Sequence, residues 1–282
     1  MKQDVVLHNG VSLPQIGMGT WQITDREIMK QVIKCGYEAG YRLIDTAAAY
    51  SNEIAIAKAI EALGLNRHEF LLSDKAWNTN RGYEQVQEAC KRSLKKLKTD
   101  YLDLYLMHWP ASMKLYPDWA QINSETWRGM QKLYRDGLVR AIGVCNFKAH
   151  HLEALRKDAE IQPMINQVEC HPGLNQRELR ACCESEQIAV EASSPLGNGQ
   201  VLKNNVLTGI AQRHGKTTAQ ICLRWAIQNG MVAIPKTVSP ERIRQNADVL
   251  DFELSAEELC EIDRIPYCGG LGIDPDEVTV YG

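Results

Sequence analysis

An acid, a phenol, an amine and an imidazole stand near the places where three apolar runs stop. Leu43-Ile44 leads into Asp45-Thr46, with Tyr50 a few residues on. Phe70–Ser73 leads into Asp74-Lys75, and the run ending at Met107 leads into His108-Trp109. A tyrosine of ordinary pKa, near 10, is a poor proton shuttle by itself. A lysine ammonium within a few ångströms favours the phenolate and lowers that pKa. An ammonium taken out of water sheds its proton unless a carboxylate holds it, which Asp45 is positioned in sequence to do. Neutral His108 adds a donor that would fix a carbonyl oxygen beside the tyrosine hydroxyl. The four groups suit protonation of a carbonyl oxygen while hydride reaches its carbon. No side chain delivers hydride, so the chemistry calls for a nicotinamide cofactor. Taken singly, each residue has a plainer role: a helix cap, a packed aromatic, a solvated amine, a core histidine. A Schiff-base reaction with Lys75 as nucleophile is the rival chemistry.

These groups converge only if their strands lie side by side and end at one rim. Apolar runs predict strands at Ile16–Gly19, Leu43–Asp45, Phe70–Ser73, Tyr101–Met107, Ala141–Val144, Met164–Val168, Ala189–Ala192 and Val232–Ile234. Amphipathic stretches between them, such as Ile28–Ala39, Tyr83–Lys96, Trp127–Arg135 and Arg177–Glu186, predict helices. Helix starts are marked by Asp25, Asn175 and Ser239-Pro240. Ahead of them, Val5-Val6-Leu7 and Val11-Ser12-Leu13 flank Asn9-Gly10, a strong hairpin signal. Eight strand-then-helix units predict an α/β fold, a (β/α)₈ TIM barrel with an N-terminal β-hairpin, as one domain over 1–282. The rival, a doubly wound open sheet, needs GxGxxG after its first strand, and Gly17-Met18-Gly19-Thr20-Trp21-Gln22 lacks the third glycine.

The strands' C-terminal ends supply further polar groups: Cys145-Asn146, Gln167, Ser193-Ser194 and Lys236-Thr237. Residues 234–242 set Lys236, Thr237, Ser239 and Arg242 around a predicted helix start, which reads as an anion site. An adenosine 2′-phosphate is a natural guest, and two charge-assisted hydrogen bonds of roughly 1.5–3 kcal/mol each would favour NADPH over NADH.

The chain has 32 basic and 35 acidic residues, so no basic excess points to nucleic acid or an anionic membrane surface. No run of about 18 apolar residues is present to span a bilayer. Only three apolar residues precede His8, too few for a secretory signal, so a cytoplasmic protein is expected, with its nine cysteines reduced. The tightest cluster, Cys170-His171 with Cys182-Cys183, matches no usual zinc spacing, and no metal is expected.

The motifs together resemble the aldo-keto reductase family over nearly the whole chain. They run Gly40-Tyr41-Arg42-Leu43-Ile44-Asp45-Thr46-Ala47, Tyr50-Ser51-Asn52-Glu53, Lys75-Ala76-Trp77-Asn78, Asp100-Tyr101-Leu102-Asp103-Leu104, His108-Trp109-Pro110, Gly143-Val144-Cys145-Asn146-Phe147, Asn166-Gln167-Val168-Glu169, Ser194-Pro195-Leu196-Gly197 and Ile234-Pro235-Lys236-Thr237. The resemblance implies a barrel that uses NADPH without a Rossmann fold, and a tetrad of Asp45, Tyr50, Lys75 and His108 with Tyr50 as general acid. It implies that Asn146 and Gln167 bind the nicotinamide carboxamide and that Ser194 and Leu196 lie along the pyrophosphate. Lys236, Thr237 and Arg242 would clamp the 2′-phosphate, Asn246 would reach the adenine, and Trp21, Trp77 and Trp109 would wall the substrate pocket. The implied activity is NADPH-dependent reduction of small aldehydes or ketones, in a branch with diketogluconate, methylglyoxal and prostaglandin F synthase-like reductases. The alternative is a catalytically weak NADPH-binding regulatory subunit on the same fold. A monomer is expected. Two positions depart from the family pattern: Ser193 stands where many members carry a tyrosine that stacks on the nicotinamide, and Cys145 replaces a serine. Residues 111–124 and 266–282 are expected to rim the pocket.

Overall fold

A computed structural model describes residues 4–278. Two short strands, β1 (Val5–Val6) and β2 (Ser12–Leu13), pair antiparallel with Val5 opposite Leu13. The turn between them is closed by Leu7 N–H to the Val11 carbonyl (2.8 Å), and Gly10 takes a positive φ of 88° that a β-carbon would resist. The Asn9 amide reaches the Arg140 carbonyl at 2.9 Å, which tethers the hairpin near the start of a barrel strand.

Eight parallel strands follow: β3 (Met18–Gly19), β4 (Leu43–Asp45), β5 (Leu71–Ala76), β6 (Leu104–Met107), β7 (Ile142–Cys145), β8 (Ile165–Glu169), β9 (Ala189–Ser193) and β10 (Val232–Ala233). Each pairs with the next in chain order. The sheet closes on itself where Ile16 bridges Ala233 in parallel and Gly17 N–H donates to the Ala233 carbonyl at 2.9 Å. This is the expected (β/α)₈ barrel, and the antiparallel hairpin precedes it. Near-continuous burial along the strands explains why they read as plain apolar runs rather than alternating ones. Side chains fill the interior so tightly that a β-carbon on Gly143 would fall 2.5 Å from the Ile165 carbonyl oxygen.

Helices α1 (Arg26–Glu38), α2 (Glu53–Ala62), α3 (Tyr83–Leu97), α4 (Trp119–Arg135), α5 (Ala149–Arg156), α6 (Arg177–Ser185), α7 (Asn205–His214), α8 (Thr218–Gln228), α9 (Pro240–Ala247) and α10 (Ala256–Asp263) surround the barrel. Two expected starts carry cap bonds: Asp25 accepts from Ile28 N–H, and Ser239 from Arg242 N–H with Pro240 beside it. Asn175 accepts from Arg177 N–H.

Several boundaries differ from expectation, β6 for one beginning at Leu104 rather than Tyr101, and two of the differences have a polar cause. Helix α4 begins at Trp119 rather than Trp127, because its first turns bury polar residues. The buried Asn123 accepts from Ala111 N–H and Thr126 from Gly82 N–H, so hydrophobic periodicity did not mark them. Strand β5 runs on through Asp74 and Lys75, whose polarity suggested its end. Both are buried because the fold supplies partners on opposite faces, Asp45 for Lys75 and Ser93 of α3 for Asp74. No helix among the described residues is long and apolar enough to cross a membrane.

Candidate active site

The centre of the barrel mouth is one buried ion pair. Lys75 of β5 and Asp45 of β4 are 0% and 2% exposed. The Lys75 ammonium donates to both Asp45 oxygens at 2.7 Å and to the Thr46 carbonyl at 2.8 Å, so all three of its hydrogens are used. Burial by itself would strip that proton. The Asp45 carboxylate opposes burial and holds the amine above the ordinary lysine value. With its three hydrogens directed at Asp45 and Thr46, the ammonium is held as an ion-pair partner rather than presented as a nucleophile, which argues against the Schiff-base chemistry.

Tyr50 sits on the short turn of 3₁₀ helix Ala48–Tyr50 after β4, with the Lys75 ammonium 5.3 Å from its ring centroid. Burial raises its pKa, and the pull of Lys75 in the opposite direction does not overcome it. The sequence argument gave the lysine the larger effect; desolvation of the phenol is larger. The phenol therefore keeps its proton at neutral pH. His108, just past β6, meets the Tyr50 ring edge-on at 5.8 Å and the Trp77 ring edge-on at 5.1 Å. Burial and then Lys75 hold its pKa well below the usual imidazole range, so the ring is neutral, and its Nδ1 has no partner. Trp21 lies just past β3 and is 39% exposed, while Trp77 and Trp109 are half-buried beyond β5 and β6. The tetrad and the three tryptophans thus occupy the ends of four neighbouring strands.

Beside the tetrad, Asn146 adopts a positive φ of 62°. Its amide donates to the His108 carbonyl at 3.0 Å and to the Cys145 sulfur at 3.2 Å. Gln167 of β8 is 2% exposed; its amide NH₂ donates to Asp45 at 2.9 Å and to Glu191 at 2.6 Å. Its carbonyl oxygen faces only the Cys145 thiol, at 3.7 Å. Glu191 was missed in the sequence reading. The available signal was a lone charge inside the otherwise apolar strand Ala189–Ala192.

Past β9, Ser193 and Ser194 are half-buried, and Ser194 takes a positive φ of 44°, followed by the half-buried Leu196. Past β10, Lys236 and Arg242 are exposed around the start of α9, with Thr237 between them in sequence and accepting from Ser239 N–H. Asn246, on the same helix, is buried. Neither Lys236 nor Arg242 has an ion-pair partner among the described residues.

The C-terminal tail crosses the same end of the barrel. Glu169 at the end of β8 accepts from Leu271 N–H at 2.7 Å, and Lys148 bonds Asp274 and Asp276 at 2.5 and 2.8 Å. The Ser112 hydroxyl donates to the Asp276 carbonyl at 3.0 Å. The expected rim segments therefore meet at Ser112–Asp276 and Lys114–Glu277. The rest of 111–124 enters α4, and residues 279–282 lie outside the described residues.

A barrel whose mouth carries a buried lysine–carboxylate pair beside a tyrosine, and exposed cations at the helix start beyond its last strand, defines a class. Residues 15–266 match the model of the aldo/keto reductase family. The chain belongs to that family and is an oxidoreductase of its type. It is 48% identical to the glyoxal reductase of Bacillus subtilis over 278 residues, 99% of this chain and 98% of that protein. It is 43% identical to the methylglyoxal reductase DkgA of Escherichia coli K12 over 275 residues, 97% of each. Among solved structures, a variant of Gox0644 in complex with NADPH superposes with a TM-score of 0.91 at 36% identity, covering 99% of this chain and 100% of that one. The Bombyx mori aldo-keto reductase in complex with NADP superposes with a TM-score of 0.85 at 36% identity, covering 95% and 94%.

Proposed function

We propose that this protein reduces small aldehydes or ketones, α-dicarbonyls such as methylglyoxal among them, with NADPH as reductant and Tyr50 as general acid. The observation that carries the reading is the Lys75 ammonium, saturated by Asp45 and Thr46 and 5.3 Å from the Tyr50 ring. NADPH, when bound, supplies the hydride for the carbonyl carbon.

The residues fit such a cofactor. Lys236 and Arg242, without an ion-pair partner among the described residues, present cations at a helix start, where a 2′-phosphate gains both charge and N–H donors. Thr237 adds a hydroxyl beside them, and Asn246 stands one turn further along the helix for the adenine. Ser194 and Leu196 line the path back to the barrel mouth. There the side-chain carbonyl oxygens of Asn146 and Gln167 offer acceptors to a carboxamide NH₂. Trp21, Trp77 and Trp109 supply apolar walls on the substrate side.

Tyr50 holds its proton until a carbonyl oxygen gaining negative charge lies against it. Neutral His108 orients that oxygen. Lys75 then stabilises the phenolate left behind, and Asp45 holds Lys75 in place. The kinship with glyoxal and methylglyoxal reductases supports small dicarbonyls as the substrate class. The test is NADPH oxidation with methylglyoxal by native protein and by Tyr50→Phe. The variant is expected to retain its fold and lose about a thousandfold in kcat/KM; equal rates would remove Tyr50 as the acid.

A further inference from the structure

Two buried carboxyl groups face the mouth of this barrel, and the mechanism above uses one of them. The second, Glu191 of β9, is 0% exposed. A carboxyl taken wholly out of water is costly unless it holds something in place. Its Oε2 accepts from the Gln167 amide at 2.6 Å, while its Oε1 is buried without a partner. Gln167 spans the gap, because the same NH₂ also donates to Asp45 at 2.9 Å. Groups from four strands surround Glu191: Asp45 of β4, Lys75 of β5, Cys145 of β7 and Gln167 of β8. Among them only Lys75 is a cation, and all three of its hydrogens are spent elsewhere.

The geometry decides which way the Gln167 amide points. Its NH₂ is held between two carboxyl oxygens, and turning it over would set a carbonyl oxygen against both of them. Asp45 alone leaves one N–H unheld, and the amide is then free to tilt. With Glu191 present both hydrogens are fixed, and the Gln167 Oε1 accepts, among the described residues, only from the weakly bonding Cys145 thiol.

We infer that Glu191 is a positioning residue for the nicotinamide: by clamping the Gln167 NH₂ from the side opposite Asp45, it keeps the Gln167 carbonyl aimed at the cofactor's carboxamide. This rests on the proposed use of NADPH. The role matters here because Ser193 cannot stack on a nicotinamide ring as an aromatic would, and Cys145 is a poor donor, so hydrogen bonds to the carboxamide carry more of its positioning. Burial, then the charge of Asp45, push the Glu191 acid up to about 8, against a pull downward from the Gln167 hydrogen bond. The clamp does not depend on that proton, since neutral or ionised the group still offers Gln167 an acceptor oxygen.

The test compares dissociation constants for two probes by titration of tryptophan fluorescence or by calorimetry: NADPH, and 2′,5′-ADP, which carries the phosphate end without the nicotinamide. Glu191→Leu is expected to weaken NADPH about tenfold and leave 2′,5′-ADP unchanged. Glu191→Gln, which retains an acceptor oxygen, should restore NADPH binding. Gln167→Leu should weaken NADPH as Glu191→Leu does, and the double variant should lose no more than Gln167→Leu alone. Should the leucine variant not fold, Glu191→Met removes the same acceptor with a more adaptable side chain. Unchanged NADPH binding in Glu191→Leu, or equal loss for both probes, would overturn the inference. Wild-type protein that binds neither probe would overturn the cofactor reading and the inference together, and is distinguished from the first case by the native titration alone.

Discussion

The two ends of this barrel treat buried charge in opposite ways. At the N-terminal end Asp103, just before β6, is 2% exposed and fully answered. Arg67 bonds it at 2.9 Å, Arg140 at 3.1 Å and Leu72 N–H at 3.0 Å. Tyr101 fills the space between the two guanidiniums, 4.5 and 3.9 Å from its ring. At the C-terminal end the Lys75–Asp45 pair is equally well made, but its surroundings are not. Among the described residues His108 Nδ1 and Glu191 Oε1 have no partner and Lys236 and Arg242 have no ion-pair partner, while the Tyr50 phenol is held protonated. One end has spent its hydrogen-bonding capacity on itself. The other keeps part of it unspent, and unspent capacity is what a ligand binds.

Variants at each end should separate the two roles. The largest effect is expected from Lys75→Met, which leaves Asp45 buried and uncompensated. Carbonyl reduction should fall by about a thousandfold or more, and stability by about 3–5 kcal/mol, read by steady-state kinetics and thermal melting. The double variant Lys236→Ala with Arg242→Ala should raise the KM for NADPH about a hundredfold, with little change for NADH and no change in Tm. Native NADPH binding should also weaken as salt rises, because both cations are exposed. Equal effects on the two cofactors would mean that these residues do not read a 2′-phosphate.

Asp103→Ala should behave in the reverse manner. It should cost about 2 kcal/mol of stability, since Arg67 and Arg140 can turn to water, while Michaelis constants stay at native values. A change in KM there would show that the two ends are coupled. The smallest effect is expected from Ser193→Tyr, which restores an aromatic face at the end of β9. An aromatic contact of roughly 0.5–1.5 kcal/mol should tighten NADPH by about threefold to tenfold, measured by fluorescence titration.

Much of this contrast was legible in the sequence, unequally at the two ends. Strand runs around Leu43–Asp45, Phe70–Ser73 and Tyr101–Met107 fixed which residues share the mouth, because parallel strands in a barrel all end on the same side. The two ends of the proposed cofactor path were likewise marked by residue types at strand ends. The network around Asp103 was legible only in part: Asp100-Tyr101-Leu102-Asp103-Leu104 stands out in the sequence, but Arg67 and Arg140 lie far from it in the chain and nothing local joins them to it. Helix α4 escaped at its start because it buries Asn123 and Thr126, which only tertiary partners make affordable.

Glu191 shows the boundary most clearly. A charge inside an apolar strand is visible in the sequence, but its direction is not. The amino-acid order by itself determined the barrel, its closing order and the set of groups at its mouth, since apolar periodicity and strand-end chemistry are local properties. Only the tertiary structure decided that burial outweighs Lys75 at the Tyr50 phenol and that Gln167 is held between two acids. Both depend on distance and desolvation, which no stretch of chain specifies alone.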